Sequence, residues 1–301
     1  MDSLSNSISL NASAISKISN KLDSLNNELN IVQLEVNGLK TQLQAPNADL
    51  TFLTKKLDAL IAQYNSIIDA INLLFFELSS SPGSIATGLE IYLPFNNNAT
   101  NFSSLKITTK VNGAQLTKDR FNEANAAYLF NGTSDFIQTD YIGILGNAYR
   151  TLAFWAKLDL SNNNKNGMSA VSWGPGTDGN RFDGYFNFAA IGPTSNIGGS
   201  AITYQTPFQI NDNTWHHYVY LIDSDNPKVN NIKVYQDAVL LTTRLSEYDL
   251  TLKVNTKDGY PLTIGKCSAP NDPSFFKGAI DEIRVYNRAL SQTEIKYLAT
   301  H

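Results

Sequence analysis

The first 78 residues follow a heptad pattern. From Leu4 onward, apolar residues recur at alternating spacings of four and three, which is the spacing of a coiled-coil seam. One polar residue, Asn11, falls on a d position, and a buried amide in such a seam commonly fixes register or oligomer state. The predicted a and d positions before the first proline are Ile8, Asn11, Ile15, Ile18, Leu22, Leu25, Leu29, Val32, Val36, Leu39 and Leu43.

Pro46 interrupts this pattern without shifting its phase. Leu43 and Leu50 are seven residues apart, so both are a positions and Pro46 falls on the d position between them. We therefore predict one rod, about 110 Å long, with a local break where the proline removes a helical hydrogen bond. The alternative is a helical hairpin in which residues 45–48 form the loop. The seam resumes at Leu50, Leu53, Leu57, Leu60, Tyr64, Ile67, Ile71, Leu74 and Leu78.

The apolar stripe is wider than a two-stranded interface covers. In the second half of the pattern the e positions Ile61, Ile68 and Phe75 are also apolar, and the mixed Ile and Leu layers lack the preference that favours dimers. We predict a parallel homotrimer. In the alternative, these three residues pack against the following domain of a monomer.

A change of period marks the start of a second region. The Ser/Pro/Gly-rich segment 79–88 ends the helical pattern. After it, short runs rich in β-branched and aromatic residues alternate with Asn, Gly, Asp and Pro clusters, as in a two-sheet β-sandwich. The predicted organisation is a coiled-coil stalk (1–78), a linker (79–88) and an all-β head (89–301).

Several segments of the head carry a family resemblance. "LEIYLPFNNNATNFSS", "NDNTWHHYVYLID", "IKVYQDAVLL" and "FKGAIDEIRVYNRALSQTEIKYLA" resemble, in that order, the laminin-G-like jelly-roll domains of the concanavalin A-like superfamily. The resemblance spans residues 89–301 and implies a jelly-roll fold. Its last segment carries a helix capping box, Ser291 with Glu294. The sequence departs from the family pattern at Asp237-Ala238, in the segment "IKVYQDAVLL". Alanine disfavours a two-residue primed turn there, so we predict a different hairpin loop.

Net charge, the length of apolar runs and the cysteine count exclude several kinds of partner. Lys and Arg number 23 against 27 Asp and Glu, giving a net charge of -4, so nucleic acid is not expected as a partner. The longest apolar run is too short to span a membrane, and no basic-then-apolar leader begins the sequence. Cys267 is the single cysteine, and we predict that it is buried as a small hydrophobe.

Catalysis and metal binding find little support in the sequence. Glycan hydrolases of this superfamily carry closely spaced acids on one strand, because two carboxylates must face the scissile bond. Here Asp281 and Glu282 are adjacent, so alternation predicts opposite faces, and we predict that the protein is not an enzyme. The resemblance makes calcium the one candidate cofactor, held by Asp281, Asn96 and Asn97. In the alternative, Asp281 hydrogen-bonds a neighbouring loop.

The best candidates for ligand binding lie in a loop-rich segment. "SWGPGTDGNRFDGYFNF" offers Asp178, Asn180, Arg181 and Asp183 as polar contacts for a sugar, whereas Trp173 is expected in the core. We predict a trimeric fibre on the surface of a virus or phage particle, anchored at its N-terminus, whose heads attach to cell-surface glycan or protein. An extracellular or cell-surface location is the alternative for localisation. The functional alternative is a structural protein that packs on a capsid and binds no receptor.

Overall fold

The structure, a computed structural model, describes residues 2–43, 50–79, 85–159, 167–187, 192–198, 200–205 and 213–301. Within the helices, side chains are described for most of residues 20–42 and 51–67. The chain forms two compact units, Met1–Thr87 and Gly88–His301. Among the described residues, no helix combines the length and the apolar character needed to cross a membrane.

The first unit consists of two helices that pack against each other, α1 (Asp2–Leu43) and α2 (Leu50–Ser79). Leu25 and Ile67 belong to one buried cluster. In a continuous rod they would be about 63 Å apart, so α2 folds back on α1. The connection, residues 44–49, spans at most about 21 Å, which is shorter than either helix and requires an antiparallel arrangement.

The predicted continuous rod is therefore wrong, and the helical hairpin is the arrangement that forms. A parallel trimer of continuous rods has no support in this structure, because each helix already packs along a neighbour from its own chain. The position on which the rod prediction rested, Pro46, lies outside the described residues.

Of the predicted seam, the described d positions are buried or half-buried in the hairpin, and the prediction that the a positions are buried with them is wrong for those described. Its d positions form the interior: Leu25, Val32, Leu53, Leu60 and Ile67 are at most 7% exposed, and Leu39 packs against them. Its a positions lie outside: Leu29, Val36, Leu57 and Tyr64 are 40–49% exposed. The remaining predicted seam residues have side chains outside the described set: Ile8, Asn11, Ile15, Ile18, Leu22, Leu43, Leu50, Ile71, Leu74 and Leu78.

The second unit is a β-sandwich with a short 3-10 helix (Val229–Asn231) and a C-terminal helix α3 (Gln292–Leu298). Its described strands are β1 (Leu89–Leu93), β2 (Thr109–Asn112), β3 (Gln115–Thr117), β4 (Ala127–Asn131), β5 (Phe136–Thr139), β6 (Arg150–Leu158), β7 (Met168–Trp173), β8 (Phe182–Asn187), β9 (Gly192–Asn196), β10 (Ala201–Tyr204), β11 (Trp215–Ile222), β12 (Lys233–Gln236), β13 (Val239–Leu240), β14 (Arg244–Tyr248), β15 (Thr263–Ile264) and β16 (Lys277–Tyr286).

The described strands form two antiparallel sheets. Sheet A has the order β13-β12-β11-β6-β16-β4-β3, with β1 also paired to β16. Sheet B has the order β14-β10-β9-β8-β7-β15-β5-β2. Non-consecutive neighbours dominate both sheets, as in a jelly roll, and the predicted all-β sandwich is confirmed.

Aromatic residues from both sheets fill the core between them. Phe154 of sheet A contacts Phe186 of sheet B edge to face, at 6.4 Å between ring centroids, and Tyr218 approaches the same Phe186 ring at 4.8 Å. Trp173 is fully buried in this core, as the sequence predicts. Cys267 is also buried.

Two local predictions have opposite outcomes. The capping box is confirmed: Ser291 accepts a hydrogen bond from the Glu294 amide at the start of α3. The turn prediction is wrong, because β12 and β13 are joined by a two-residue turn with Asp237 and Ala238 at φ values of 48° and 63°. The Asp237 carboxylate accepts one hydrogen bond from the His217 amide and contacts the His216 ring, and these contacts hold the turn in this conformation.

Candidate functional site

A buried arginine organises the loop before β6. Arg150 begins that strand and is fully buried. Its guanidinium donates to the carbonyls of Ile144 (2.6 Å), Gly146 (2.9 Å) and Ala148 (3.0 Å), and to the Thr256 hydroxyl (2.8 Å). Every one of these acceptors is a neutral oxygen, so loop dipoles solvate the charge. Burial lowers the pKa of Arg150 to about 10, so it stays charged at neutral pH.

Further contacts hold the same loop in one conformation. Trp173 donates its indole N–H to the Ile144 carbonyl at 3.2 Å. Gly146 and Thr256 exchange backbone hydrogen bonds. At Gly143 the φ is +83° and the Trp173 ring lies where a Cβ would stand, so only glycine fits there. These contacts tie the loop to the sandwich at several points, which is the kind of support that a binding loop requires.

This loop presents an aromatic and an amide side chain to solvent. Tyr149 is 40% exposed, and its hydroxyl donates to Asp225 at 3.2 Å. Asn147 is exposed, and its amide donates to Asn226 at 3.2 Å. The hydrogen bond to Asp225 raises the pKa of Tyr149, so the hydroxyl stays protonated near neutral pH. We call these four residues, Asn147, Tyr149, Asp225 and Asn226, the rim cluster.

Two of the residues predicted to bind ligand lie on an adjoining loop. Asp178 is exposed and Asn180 is half-buried. The segment 255–257 links their loop to the rim cluster: its amides donate to the carbonyls of Gly179 and Asn180, while Thr256 pairs with Gly146. Asp178 and Asn180 thus belong to the same end of the sandwich as the rim cluster.

The other two predicted residues, Arg181 and Asp183, face away from solvent. Arg181 is 5% exposed and Asp183 is 1% exposed, where the loop before β16 covers the outer face of sheet B. Arg181 forms an ion pair with Asp272 at 3.0 Å and donates to Asn196 at 3.2 Å. The two side chains predicted to contact a ligand are thus buried and bound to partners within the fold, which the covering loop supplies.

Asp183 has an unusual electrostatic environment. Its Oδ1 accepts a hydrogen bond from the Ser169 hydroxyl at 2.6 Å, and its Oδ2 lies 3.4 Å from Arg181 Nε. Burial raises the pKa of Asp183 to about 7, although Arg181 and Ser169 favour the ionised form. This cluster stabilises the sheet and its covering loop and offers no open surface to a ligand.

The acidic pair on β16 does not follow simple alternation. Asp281 lies opposite Trp155, and the register shifts between Asp281 and Arg284, where Glu282 has a φ of 55°. Such a bulge places two successive residues on the same face. Glu282 contacts Tyr92 and Arg284, which pair with each other across the sheet on the outer face. The prediction of opposite faces is therefore wrong.

Each acid of this pair is neutralised by an arginine. Arg120 binds Asp281 at 3.0 Å, and Arg284 binds Glu282 at 2.5 Å. Burial, followed by the adjacent Glu282 charge, raises the pKa of Asp281 to about 8, while Arg120 opposes the shift.

The predicted calcium ligands do not suit a cation. Both oxygens of Asp281 already accept hydrogen bonds, Oδ2 from the Arg120 guanidinium and Oδ1 from the Glu282 amide at 2.8 Å. Asn96 and Asn97 are exposed beyond β1. Among the described residues, no group of three or more His, Cys, Asp or Glu side chains has the geometry of a metal site. The alternative, in which Asp281 binds a neighbouring loop, describes the observed contact with Arg120.

The sequence does not reveal the rim cluster, because its members come from separate loops. One local signal was available: Arg150 opens a strand whose other residues are mostly apolar, "RTLAFWAKL". A charged residue at the head of a buried strand needs partners, and here the preceding loop supplies them.

Comparisons with known proteins agree with this fold. A laminin G family model, described as the concanavalin A-like lectin/glucanases superfamily, matches residues 131–296, more than half of the chain. A comparison with curated protein sequences found no match.

Several solved structures are similar to this chain. Domain 4 of AbnA, an extracellular arabinanase from Geobacillus stearothermophilus solved with arabinotriose, is 17% identical, with a TM-score of 0.46 over 70% of this chain and 98% of that domain. A Trypanosoma rangeli sialidase is 17% identical, with a TM-score of 0.49 over 80% of this chain and 39% of the sialidase. The receptor-binding domain of botulinum neurotoxin D is 13% identical, with a TM-score of 0.48 over 72% and 53% of the two chains. The protein belongs to the laminin-G-like family of the concanavalin A-like lectin/glucanase superfamily.

Proposed function

We propose that the sandwich is a lectin-like binding head whose rim cluster recognises the glycan of a surface receptor. The observation that carries this proposal is the use of a fully buried arginine to fix a loop that displays Tyr149 and Asn147. A buried charge whose hydrogen-bond acceptors are loop carbonyls and one hydroxyl costs desolvation free energy. Fixing the conformation of a recognition loop would explain why a buried arginine is present despite this cost.

The chemistry of the rim cluster suits a neutral sugar. The exposed ring of Tyr149 offers an apolar face for the C–H side of a pyranose. The amides of Asn147 and Asn226 supply both donors and acceptors, and Asp225 supplies acceptors for hydroxyl groups. Few polar groups placed beside an aromatic ring are typical of small-ligand sites.

Binding without hydrolysis is part of the proposal. A glycosidase needs one carboxylic acid and one free carboxylate on either side of the scissile bond. The acidic pair closest in sequence, Asp281 and Glu282, is engaged with Arg120 and Arg284. Incubation with oligosaccharides should therefore release no sugar.

A glycan array probed with the full chain tests this function, followed by calorimetry on the best ligand. Tyr149→Ala should weaken binding by about tenfold or more, because the stacking surface is lost. Asn147→Ala should weaken it less. Tyr297→Ala is the matched control, since Tyr297 on α3 is 39% exposed, close to the 40% of Tyr149. The control should bind like the wild type.

Two results would count against the proposal in different ways. Glycan binding that survives Tyr149→Ala and Asn147→Ala would move the site away from the rim cluster. Silence across diverse glycans would favour the structural alternative, a protein that packs on a scaffold. Display on a virus or phage particle stays a prediction from the sequence, and electron microscopy of labelled particles tests it.

A further inference from the structure

The hairpin of the first unit leaves one apolar face uncovered. Five residues form this face, which we call the a-face: Leu29, Val36, Leu57, Ile61 and Tyr64. Each is 40–50% exposed. Four occupy a positions of the heptad frame and Ile61 occupies the neighbouring e position. They are distinct from the d residues that hold the two helices together.

Helix geometry places these residues on the same side of the hairpin. At about 100° per residue, a positions lie about 60° to one side of d, and g positions lie about 60° to the other. When two antiparallel helices pack through their d residues, the twofold axis that relates them is perpendicular to the plane containing both helices. Rotation about this axis leaves each side of the plane unchanged. Both a series therefore share one face. The g residues share the opposite face and are polar and exposed: Lys21, Glu28, Glu35, Lys56 and Gln63.

The sequence pattern favours a helical partner with the same repeat. Exposed residues at seven-residue intervals, such as Leu29 with Val36 and Leu57 with Tyr64, present knobs for a partner of identical period. The face is two helices wide, so a single helix would leave half of it in water. A second hairpin matches both the period and the width.

Charge and area point to the same partner. Among the described a and e residues from 29 to 64, Lys40 is the single charged residue, so two copies of the face do not repel each other. The described a-face residues occupy about 10 Å of each helix. A contact along all 30 residues of α2, about 45 Å long and two helices or about 20 Å wide, would cover roughly 900 Å² per hairpin. A stable interface needs about 800 Å² per partner.

We infer that the a-face is the contact with a second copy of this chain, and that two hairpins form an antiparallel four-helix bundle. In such a bundle each helix buries its d residues against its own hairpin partner and its a and e residues against the other hairpin. The broad a, d and e stripe of the sequence is the width that helices in a bundle bury. The dimer would carry two heads and strengthen weak glycan binding through avidity, although the inference does not depend on that function.

Light scattering coupled to size exclusion, run on the full chain over a hundredfold concentration range, tests the inference. The wild type should have twice the 33.1 kDa chain mass. The double variant Leu57→Glu/Tyr64→Glu should run as a monomer, with an apparent dissociation constant more than about 100-fold weaker, because burial of two carboxylates is unfavourable. Leu34→Glu is the matched control: Leu34 is 71% exposed at an f position, so this variant should remain a dimer.

Circular dichroism separates lost association from lost folding. The a residues are already exposed in the hairpin, so the double variant should keep its helical signal as a monomer at low concentration. If it unfolds, Leu29→Gln/Val36→Gln on α1 provides a milder test with the same expected loss of mass. A wild type that is monomeric at every concentration would overturn the inference. A trimeric mass, or a Leu34→Glu variant that dissociates as readily as the double variant, would equally rule out the two-copy bundle.

Discussion

The two units satisfy their apolar residues in different ways. The sandwich closes its core between its own sheets and even buries Arg150, Asp183 and Asp281 with partners from the same unit. The hairpin buries its d series and leaves its a series 40–49% exposed. A two-layer sandwich encloses a volume, whereas two helices share only a line of contact. The sandwich therefore has its own internal core, whereas the described residues of the hairpin leave an apolar face exposed.

The largest expected effect is that truncating a core side chain in one unit lowers the unfolding free energy of that unit and not of the other. Phe154→Ala removes a ring packed on Phe186 and Tyr220 and should cost about 4 kcal/mol of unfolding free energy in the sandwich. Leu60→Ala should cost about 3 kcal/mol in the hairpin alone. All three tryptophans lie after residue 88, so urea unfolding followed by fluorescence reports the sandwich and dichroism at 222 nm reports chiefly the helices. A single transition shifted equally in both variants would show that the units unfold together.

Buried charge gives the sandwich a pH dependence that can be isolated at Asp183. Burial raises its folded pKa to about 7, against 3.8 ordinarily. The folded state therefore binds more protons between about pH 4 and 7, and stability falls as pH rises through this window. Between about pH 4 and 7, the unfolding free energy of the wild type should fall by up to about 4 kcal/mol relative to that of Asp183→Asn. Chemical denaturation at several pH values measures this difference, and a constant difference would contradict the raised pKa.

The Arg150 network tests whether buried charge serves the binding loop. Arg150→Met keeps an apolar stem but removes the hydrogen bonds to the Ile144, Gly146 and Ala148 carbonyls. We expect a loss of about 2 kcal/mol in thermal unfolding, and faster hydrogen exchange confined to the loop before β6 and the segment 255–257. Arg150→Lys should recover part of the stability. Unchanged exchange in the loop would mean that the arginine is not what fixes it.

The smallest expected effect concerns backbone strain in the sandwich. Ala238 has a φ of 63°, a region that costs an alanine about 1 kcal/mol. Ala238→Gly should stabilise the sandwich by about 0.5 to 1 kcal/mol, measured as a higher midpoint of urea unfolding by fluorescence. The dichroism transition of the hairpin should not move. A destabilised variant would indicate that the alanine methyl group makes contacts worth more than the strain.

Several features were predictable because they depend on near neighbours in the chain. The heptad frame was half correct for the hairpin: the d residues Leu25, Val32, Leu60 and Ile67 form its interior, whereas the described a residues lie outside. Alternation and turn residues predicted the sandwich, and Ser291 with Glu294 predicted the start of α3. Ligand binding by Asp178 and Asn180, which lie in an exposed or half-buried loop, stays a prediction. The burial of Arg181 and Asp183 could not be predicted, because the loop that covers them comes from distant sequence.

By itself, the sequence determined where the seven-residue repeat of apolar residues gives way to two-residue alternation. It therefore determined which regions form helices and which form strands. The tertiary structure alone decided that the heptad seam closes within one chain, that a bulge brings Asp281 and Glu282 to one face, and that Arg150 fixes the loop carrying Tyr149. Period and capping depend on residues within a turn or two of each other. The helical hairpin, the register shift in β16 and the burial of charged residues depend on contacts between segments that are distant in sequence. Many positions contribute to the free energy of these contacts, so no local pattern predicts them.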